Sequence, residues 1–452
     1  MKQDDKIILD IKRLGINGEG IGYYKRKAVF IDGAIPGETH EVTITKSLDK
    51  MNFAKSERII KESKSRVQVK CPYYKECGGC STMHISYEQM LEYKKELIIE
   101  AINRYTHLNP KHFEIKNTIK SEYDYYYRNK AQLPLKKEND KYSACMIQAS
   151  SNKLIPVKDC MVQNKVINKL TTAILKMADE LEIPPFIAKF NRGVLRYLSI
   201  RVNEKNEALV CFVCYEKSEK IKQLAKKVIE LPEVKSVYEN FNTKLKAPTI
   251  YGEESNHLEG DKYLIMTINN IKYELYPTTF FQLNTSQAKN IFDIVKKTAK
   301  LSKKEIVLDA FCGVGAIGLN LASMANMVIG IENNKESVDA AIENAKINKI
   351  KNAKFICGDA NKLLPSMIND GKKIDVIIVD PPRVGLGDEF IKTLKKINIK
   401  RLIYVSCNPA TLAKDIEQLT DNYQVNSITP LDMFPNTPHV ESITLLVRKD
   451  TK

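Results

Sequence analysis

The chain has 452 residues, a formal net charge of +16 at pH 7 and ten cysteines. That length allows about two to four domains with full cores, no apolar run is long enough to span a bilayer, and residues 1–10 have neither an h-region nor a cleavage site, so no membrane association is expected and the chain reads as cytoplasmic. The lysine and arginine excess favours a polyanionic partner through counterion release, although solvated basic faces explain charge alone equally well. The cysteines do not form a disulfide framework in a cytoplasmic chain of this size, and Cys145, Cys211 and Cys214 lie in apolar strand-like runs as small buried side chains.

Residues 1–60 read as about five short strands: Ile7–Ile11, a segment after the turn Gly15-Ile16-Asn17-Gly18-Glu19-Gly20, Ala28–Ile31, Val42–Thr45 and Phe53–Ile60. That count suits a small OB-like barrel. The glycine turn and Pro36-Gly37-Glu38 resemble the TRAM domain, which implies an RNA-binding barrel.

Residues 61–275 read as a central α+β domain. It begins with a basic run and the cluster Cys71-x5-Cys77-x2-Cys80, with Cys160 a distant fourth cysteine. Four thiolates suit tetrahedral zinc or a [4Fe–4S] cluster. Zinc ribbons use paired C-x-x-C knuckles, so this spacing favours iron–sulfur; a radical S-adenosylmethionine site would need C-x3-C-x2-C. An amphipathic helix is predicted over Ser86–Tyr105, with Leu91, Leu97, Ile98 and Ile102 facing a core. Tyr125-Tyr126-Tyr127-Arg128-Asn129-Lys130 mixes aromatic faces and cations, which makes Arg128 and Lys130 expected RNA contacts. Val194–Val202 and Ala208–Tyr215 predict a hairpin, and the polar stretch Gly252–Gly260 an exposed loop.

From residue 276 to 452 the pattern is βαβ, which predicts a Rossmann-like α/β domain. Its strands are expected at Ile306–Leu308, Met327–Ile331, Ala353–Cys357, Val376–Val379 and Leu402–Val405. Gln424–Pro430 and Thr444–Val447 follow as a closing hairpin with one reversed strand. Gly313-Val314-Gly315-Ala316-Ile317-Gly318 satisfies a dinucleotide pattern literally. Asp309, ending the strand before it, suits a cationic methionine moiety rather than a pyrophosphate. Glu332 can take both ribose hydroxyls and Asp359 the adenine edge, so the three acids favour S-adenosylmethionine.

Asp380-Pro381-Pro382-Arg383 closes the fourth strand with a stiff lip for a flat base. Cys407, in Ser406-Cys407-Asn408-Pro409, stands at a strand–helix junction where helix N–H groups are expected to lower its pKa from about 8.5. Such a thiolate can add to C6 of uracil and make C5 nucleophilic. Glu441, in Pro438-His439-Val440-Glu441-Ser442, is the candidate base that removes the C5 proton. The target uridine must leave its stack to reach the thiol.

These motifs, with Phe280-Phe281-Gln282-Leu283-Asn284, resemble the RNA uracil-5-methyltransferases over essentially the whole chain. The resemblance implies Cys407 as nucleophile and Glu441 as base. Gln282, Phe311, Glu332 and Asp380 become S-adenosylmethionine contacts, with Asp359 as an addition. It also implies a [4Fe–4S] cluster on Cys71, Cys77, Cys80 and Cys160. RNA cytosine-5-methyltransferases place the cysteine directly after the proline, where this chain has Pro382 or Arg383. Relatives with both barrel and cluster act on 23S rRNA, so that substrate is implied; the T-loop uridine of tRNA is the alternative. A non-catalytic RNA-binding or assembly factor is disfavoured by the intact Cys407 and Glu441, and no protein partner is implied.

Overall fold

Strand alternation in the first sixty residues closes a barrel. The strands are β1 (Lys6–Leu14), β2 (Gly20–Tyr24), β3 (Lys27–Ile31), β4 (Thr39–Ser47) and β5 (Met51–Lys61), in the order β1-β2-β3-β5-β4. Leu9, Ile11, Val29, Ile31, Val42 and Ile44 fill its interior. The computed structural model describes residues 2–149, 151–245 and 249–449; Met1 and residues 450–452, at the outer ends of the expected first and last domains, lie outside the described residues.

Next come α1 (Tyr87–Tyr105) and the short β6 (Glu114–Ile115). The central sheet uses β7 (Lys130–Glu138), β8 (Lys141–Ile147), β9 (Leu154–Pro156), then after α2 (Lys165–Glu180) β10 (Leu195–Val202) and β11 (Ala208–Cys214), and after α3 (Glu219–Val228) β12 (Val234–Phe241) and β13 (Glu254–Gly260). The order is β13-β12-β11-β10-β7-β8-β9, and α2 and α3 bury Ile167, Leu170, Ile174, Ile221 and Leu224 against it. The expected β10–β11 hairpin is present. The stretch expected as an exposed loop is instead the edge strand β13, antiparallel to β12. Its polar composition reflects an edge with little apolar cover, while ladder hydrogen bonds supply its order.

The chain continues through the hairpin β14 (Leu264–Ile268) and β15 (Ile271–Leu275), then α4 (Thr285–Ala299), β16 (Ile306–Ala310), α5 (Ala316–Leu321), β17 (Met327–Glu332), α6 (Lys335–Ile347) and β18 (Ala353–Cys357). After α7 (Ala360–Asn369) come β19 (Val376–Val379), α8 (Asp388–Lys396), β20 (Arg401–Ser406), α9 (Pro409–Leu419), β21 (Tyr423–Leu431) and β22 (Glu441–Arg448). The sheet order is β18-β17-β16-β19-β20-β22-β21-β6, with β22 the reversed strand expected from sequence. The order turns back between β16 and β19, which opens a crevice at their carboxyl ends.

Two segments assigned by sequence to the central region join this last unit. The β14–β15 hairpin buries Met266, Tyr273 and Leu275 in the same core as α4 and β16. Ile98, Ala101 and Ile102 of α1 pack with Leu412, Ala413 and Ile416 of α9, and β6 extends the sheet beside β21. A helical stripe states that a face must be buried but not which sheet buries it. Of the predicted core positions on α1, Leu97, Ile98 and Ile102 are buried and Leu91 is half-buried. Among the described residues no helix is long and apolar enough to cross a membrane.

Candidate active site

The crevice is built from strand ends. Asp309 is fully buried near the end of β16, and its Oδ2 accepts from the Gly318 amide of α5 at 2.8 Å. A Cβ on Gly318 would lie 2.9 Å from Val328 Cγ1 and 3.0 Å from that same oxygen, so glycine is what lets the helix come this close. Asp309 Oδ1 is buried without a partner. Burial raises the Asp309 carboxyl to about 7 against the Gly318 hydrogen bond, and Asp380 and Glu332 add repulsion. Asp380 follows β19 and is likewise raised to about 7 by burial. Three acids near one another, one with an unsatisfied buried oxygen, favour a cation beside them.

Glu332 ends β17 with its carboxylate fixed: Oε2 accepts from Gly313 N at 3.1 Å and Oε1 from Asn334 N at 2.9 Å. A carboxylate has further lone pairs for hydroxyl donors. Phe311 has φ 66°, a left-handed conformation that a bulky side chain rarely adopts, and its ring sits 5.7 Å from that of Phe390. Asp359 is exposed and caps α7, its Oδ1 accepting from Asn361 N and Nδ2, both at 2.9 Å. Gln282 lies between β15 and α4, next to Phe281, whose ring packs 5.1 Å from that of Tyr273; Tyr273 in turn donates to Ala316 O at the start of α5. Asn129 of the central domain holds this segment by donating to Gln282 O at 3.0 Å.

Cys407 leaves β20 just past the Ser406–Ser442 pair, which puts it opposite Glu441, the first residue of β22. Cys407 is half-buried, whereas Cys145, Cys211, Cys214 and Cys312 are buried. The expectation of a lowered thiol pKa is corrected: burial raises it, and Glu441 and Asp380 raise it further against the opposing effect of Arg383. The helix contributes little because Pro409 has no N–H and Asn408 Oδ1 already caps the Ala410 amide at 3.1 Å. Asn408 Nδ2 also donates to Arg383 O at 3.1 Å, tying the cysteine loop to the Asp380–Arg383 loop, a link that motif spacing does not reveal. Glu441 is 5% exposed, and burial followed by Asp380 raises its pKa well above the ordinary carboxylate value.

Cys71, Cys77, Cys80 and Cys160 line one pocket with Met83, Met146 and Arg128. Burial is the largest cause raising the Cys77, Cys80 and Cys160 thiols, and repulsion among the cysteines adds to it; Cys80 reaches about 12. Among the described residues no group of three or more His, Cys, Asp or Glu side chains is placed to hold a metal ion. The expected RNA contacts divide. Arg128 borders the cysteine pocket. Lys130 is buried, donates to Pro277 O at 2.8 Å and is pushed down to about 6 by burial and by Arg201, so it holds the segment before Gln282 instead of facing solvent. Tyr125 and Tyr126 are half-buried beneath Lys70 and Lys165, while Tyr127 is buried.

The family profile described as tRNA (Uracil-5-)-methyltransferase matches residues 86–449, and a TRAM domain profile matches residues 6–57. An uncharacterized RNA methyltransferase of Halalkalibacterium halodurans is 41% identical over 99% of this chain and 97% of its own. Another, from Enterococcus faecalis, is 37% identical over 99% of both chains. The solved tRNA (uracil-54, C5)-methyltransferase of Pyrococcus abyssi, in complex with S-adenosyl-L-homocysteine, superposes with a TM-score of 0.78 at 27% identity, covering 98% of this chain and 100% of that one. With the catalytic profile spanning most of its length and relatives aligned end to end, the chain belongs to the tRNA (uracil-5-)-methyltransferase family and is an RNA methyltransferase.

Proposed function

We propose that the protein methylates C5 of uridine in RNA through a transient bond between Cys407 and C6 of the base. The observation that carries this reading is the placement of Cys407 opposite Glu441 at the crevice end of β20 and β22, beside Asp380. As the Cys407 sulfur adds to C6, the C5–C6 π electrons move toward O4 and C5 becomes nucleophilic. S-adenosylmethionine, when bound, supplies the electrophilic methyl group on a cationic sulfur. Glu441 then takes the proton from C5, the C5–H electron pair re-forms the C5=C6 double bond, and Cys407 sulfur leaves C6 as the thiolate with the C6–S pair. Glu441 must be ionised to take that proton; burial and the nearby Asp380 oppose its ionisation and Arg383 favours it, and the same burial and repulsion make it a strong base once ionised. The crowded acids Asp309, Glu332 and Asp380, and the unpartnered Asp309 oxygen, suit a cationic cofactor. Phe311, Gln282, Glu332 and Asp380 are its proposed contacts, with Asp359 at the outer edge.

The four-cysteine pocket is proposed to hold a [4Fe–4S] cluster. What supports the reading is that four cysteines, one of them remote in sequence, line a single pocket, and that their C-x5-C-x2-C spacing is not that of paired zinc knuckles. The cations of such a group would offset the burial and mutual repulsion that raise the Cys77, Cys80 and Cys160 thiols.

For the substrate we propose 23S rRNA. A second reading, a tRNA uridine, is favoured by the Pyrococcus abyssi tRNA enzyme, which matches this chain from end to end; the barrel alone therefore does not discriminate between the two. Labelled methyl transfer to 23S rRNA and tRNA transcripts tests both. The expected product is 5-methyluridine in 23S rRNA, absent with Cys407→Ala. Methylation confined to tRNA would replace the ribosomal assignment, and 5-methylcytidine as product would remove the uracil assignment.

A further inference from the structure

Glu441 sits at the end of a loop, residues 432–440, that joins β21 to β22. The sheet does not hold this loop by itself. Lys94, on the face of α1 where apolar residues were expected, has a side-chain exposure of 0%, as does its partner Asp432 at the start of the loop. Lys94 Nζ donates to Asp432 Oδ1 and, at 3.2 Å, to Phe434 O. Tyr127 Oη donates to Pro435 O at 3.1 Å, and the amides of Ser81 and Thr82, directly after Cys80, both donate to Asn436 O at 3.2 Å. Gln287 Nε2 donates to Asp432 O at 2.9 Å.

Of these ties, the Lys94–Asp432 pair is the one between full charges, and it is costly to build. Desolvating a lysine and an aspartate offsets most of their attraction, and an apolar pair of similar volume commonly serves stability as well or better. What an ion pair adds is direction, because an ammonium donates to several acceptors at fixed points. Here those acceptors are a side chain and a carbonyl two residues apart, at the root of the loop that presents His439 and Glu441.

We propose that Lys94 is a positioning residue for the methylation reaction: through Asp432 and the Phe434 carbonyl it sets the loop that aims Glu441 at the C5 proton. This rests on Glu441 being the base. Lys94 acts on proton removal, after the thiol adduct has formed, and not on adduct formation.

The test uses the full chain with RNA and S-adenosylmethionine. The variant is Lys94→Met/Asp432→Leu, which removes both charges at similar volume and leaves neither stranded. Three quantities are followed: S-adenosylhomocysteine affinity, turnover, and the fraction of enzyme in a denaturant-resistant RNA adduct. The expected result is unchanged cofactor affinity, turnover lowered by about 10–100-fold as for a slightly misplaced catalytic group, and a larger adduct fraction. A merely structural role would lower adduct and turnover together, and that result, or wild-type behaviour, overturns the proposal. Glu441→Gln is run alongside. If it traps adduct and the double variant does not, the positioning role alone fails; if it releases product freely, the base assignment fails and the positioning role with it.

Discussion

Cys407 and Glu441 face each other across the ends of two antiparallel strands, and each makes ionisation of the neighbourhood harder. The Ser406–Ser442 pair places them, Asp380 crowds both, and Arg383 is the cation that opposes the crowding at both. The resting site therefore disfavours ionisation of both the Cys407 thiol and the Glu441 carboxyl.

Glu441→Gln removes the proposed proton acceptor while retaining shape. We expect it to form the RNA adduct and fail to resolve it, so that a denaturant-resistant band accumulates on gels. Rapid release of methylated RNA would show that another group takes the proton.

Because the Cys407 thiol lies above the ordinary cysteine range through burial and its acidic neighbours, little thiolate exists at neutral pH. In the RNA-free protein, alkylation of Cys407, followed by mass spectrometry of its peptide, should rise about tenfold per pH unit and still be rising beyond about pH 8.5. A plateau already reached near neutrality would contradict a raised pKa.

Gly315 has φ 78°, and a Cβ there would lie 2.8 Å from Phe355 Cζ. Gly315→Ala combines a left-handed backbone cost with overpacking, together roughly 2–5 kcal/mol. Chemical denaturation should show that loss, and calorimetry should show weakened S-adenosylhomocysteine binding. Unchanged stability and binding would mean that the loop relaxes freely.

Lys130 is pushed down to about 6 in the folded chain by burial and Arg201, while the unfolded chain keeps it protonated to about pH 10.4. Between those values the unfolded state binds the extra proton, so this group makes unfolding free energy rise with pH, by at most about 1.4 kcal/mol per unit. Lys130→Met should flatten the slope and leave the salt dependence of RNA binding unaltered. A smaller salt slope would place Lys130 on a phosphate after all.

If the cysteine pocket holds a [4Fe–4S] cluster, anaerobically purified protein should contain about four iron and four sulfide per chain. Cys160→Ser should reduce both, although Cys160 is remote in sequence from the other three. Zinc without iron would overturn the cluster.

Much of the organisation is local enough to read in one dimension. Alternating strands and glycine turns mark the barrel, apolar runs ending in Asp309, Glu332, Asp380 and Ser406 mark parallel strands, and Cys407 and Glu441 stand out as candidates by their position at strand ends. Strand-end motifs are legible because a βαβ pattern delivers each strand end to the same rim, whatever the packing elsewhere.

Packing determined the rest. Lys130 looks like an RNA contact in a string of letters, and Lys94 is a charge among apolar positions of α1, yet both are buried, since burial depends on which distant segment covers a face. Helix α1 lies beside α9 rather than on the central sheet for the same reason. The Cys407 thiol was expected to be activated by a helix terminus, but its ionisation follows from the sum of nearby charges and lost water. Those charges come from residues 380, 383 and 441, which only the folded chain brings to one point.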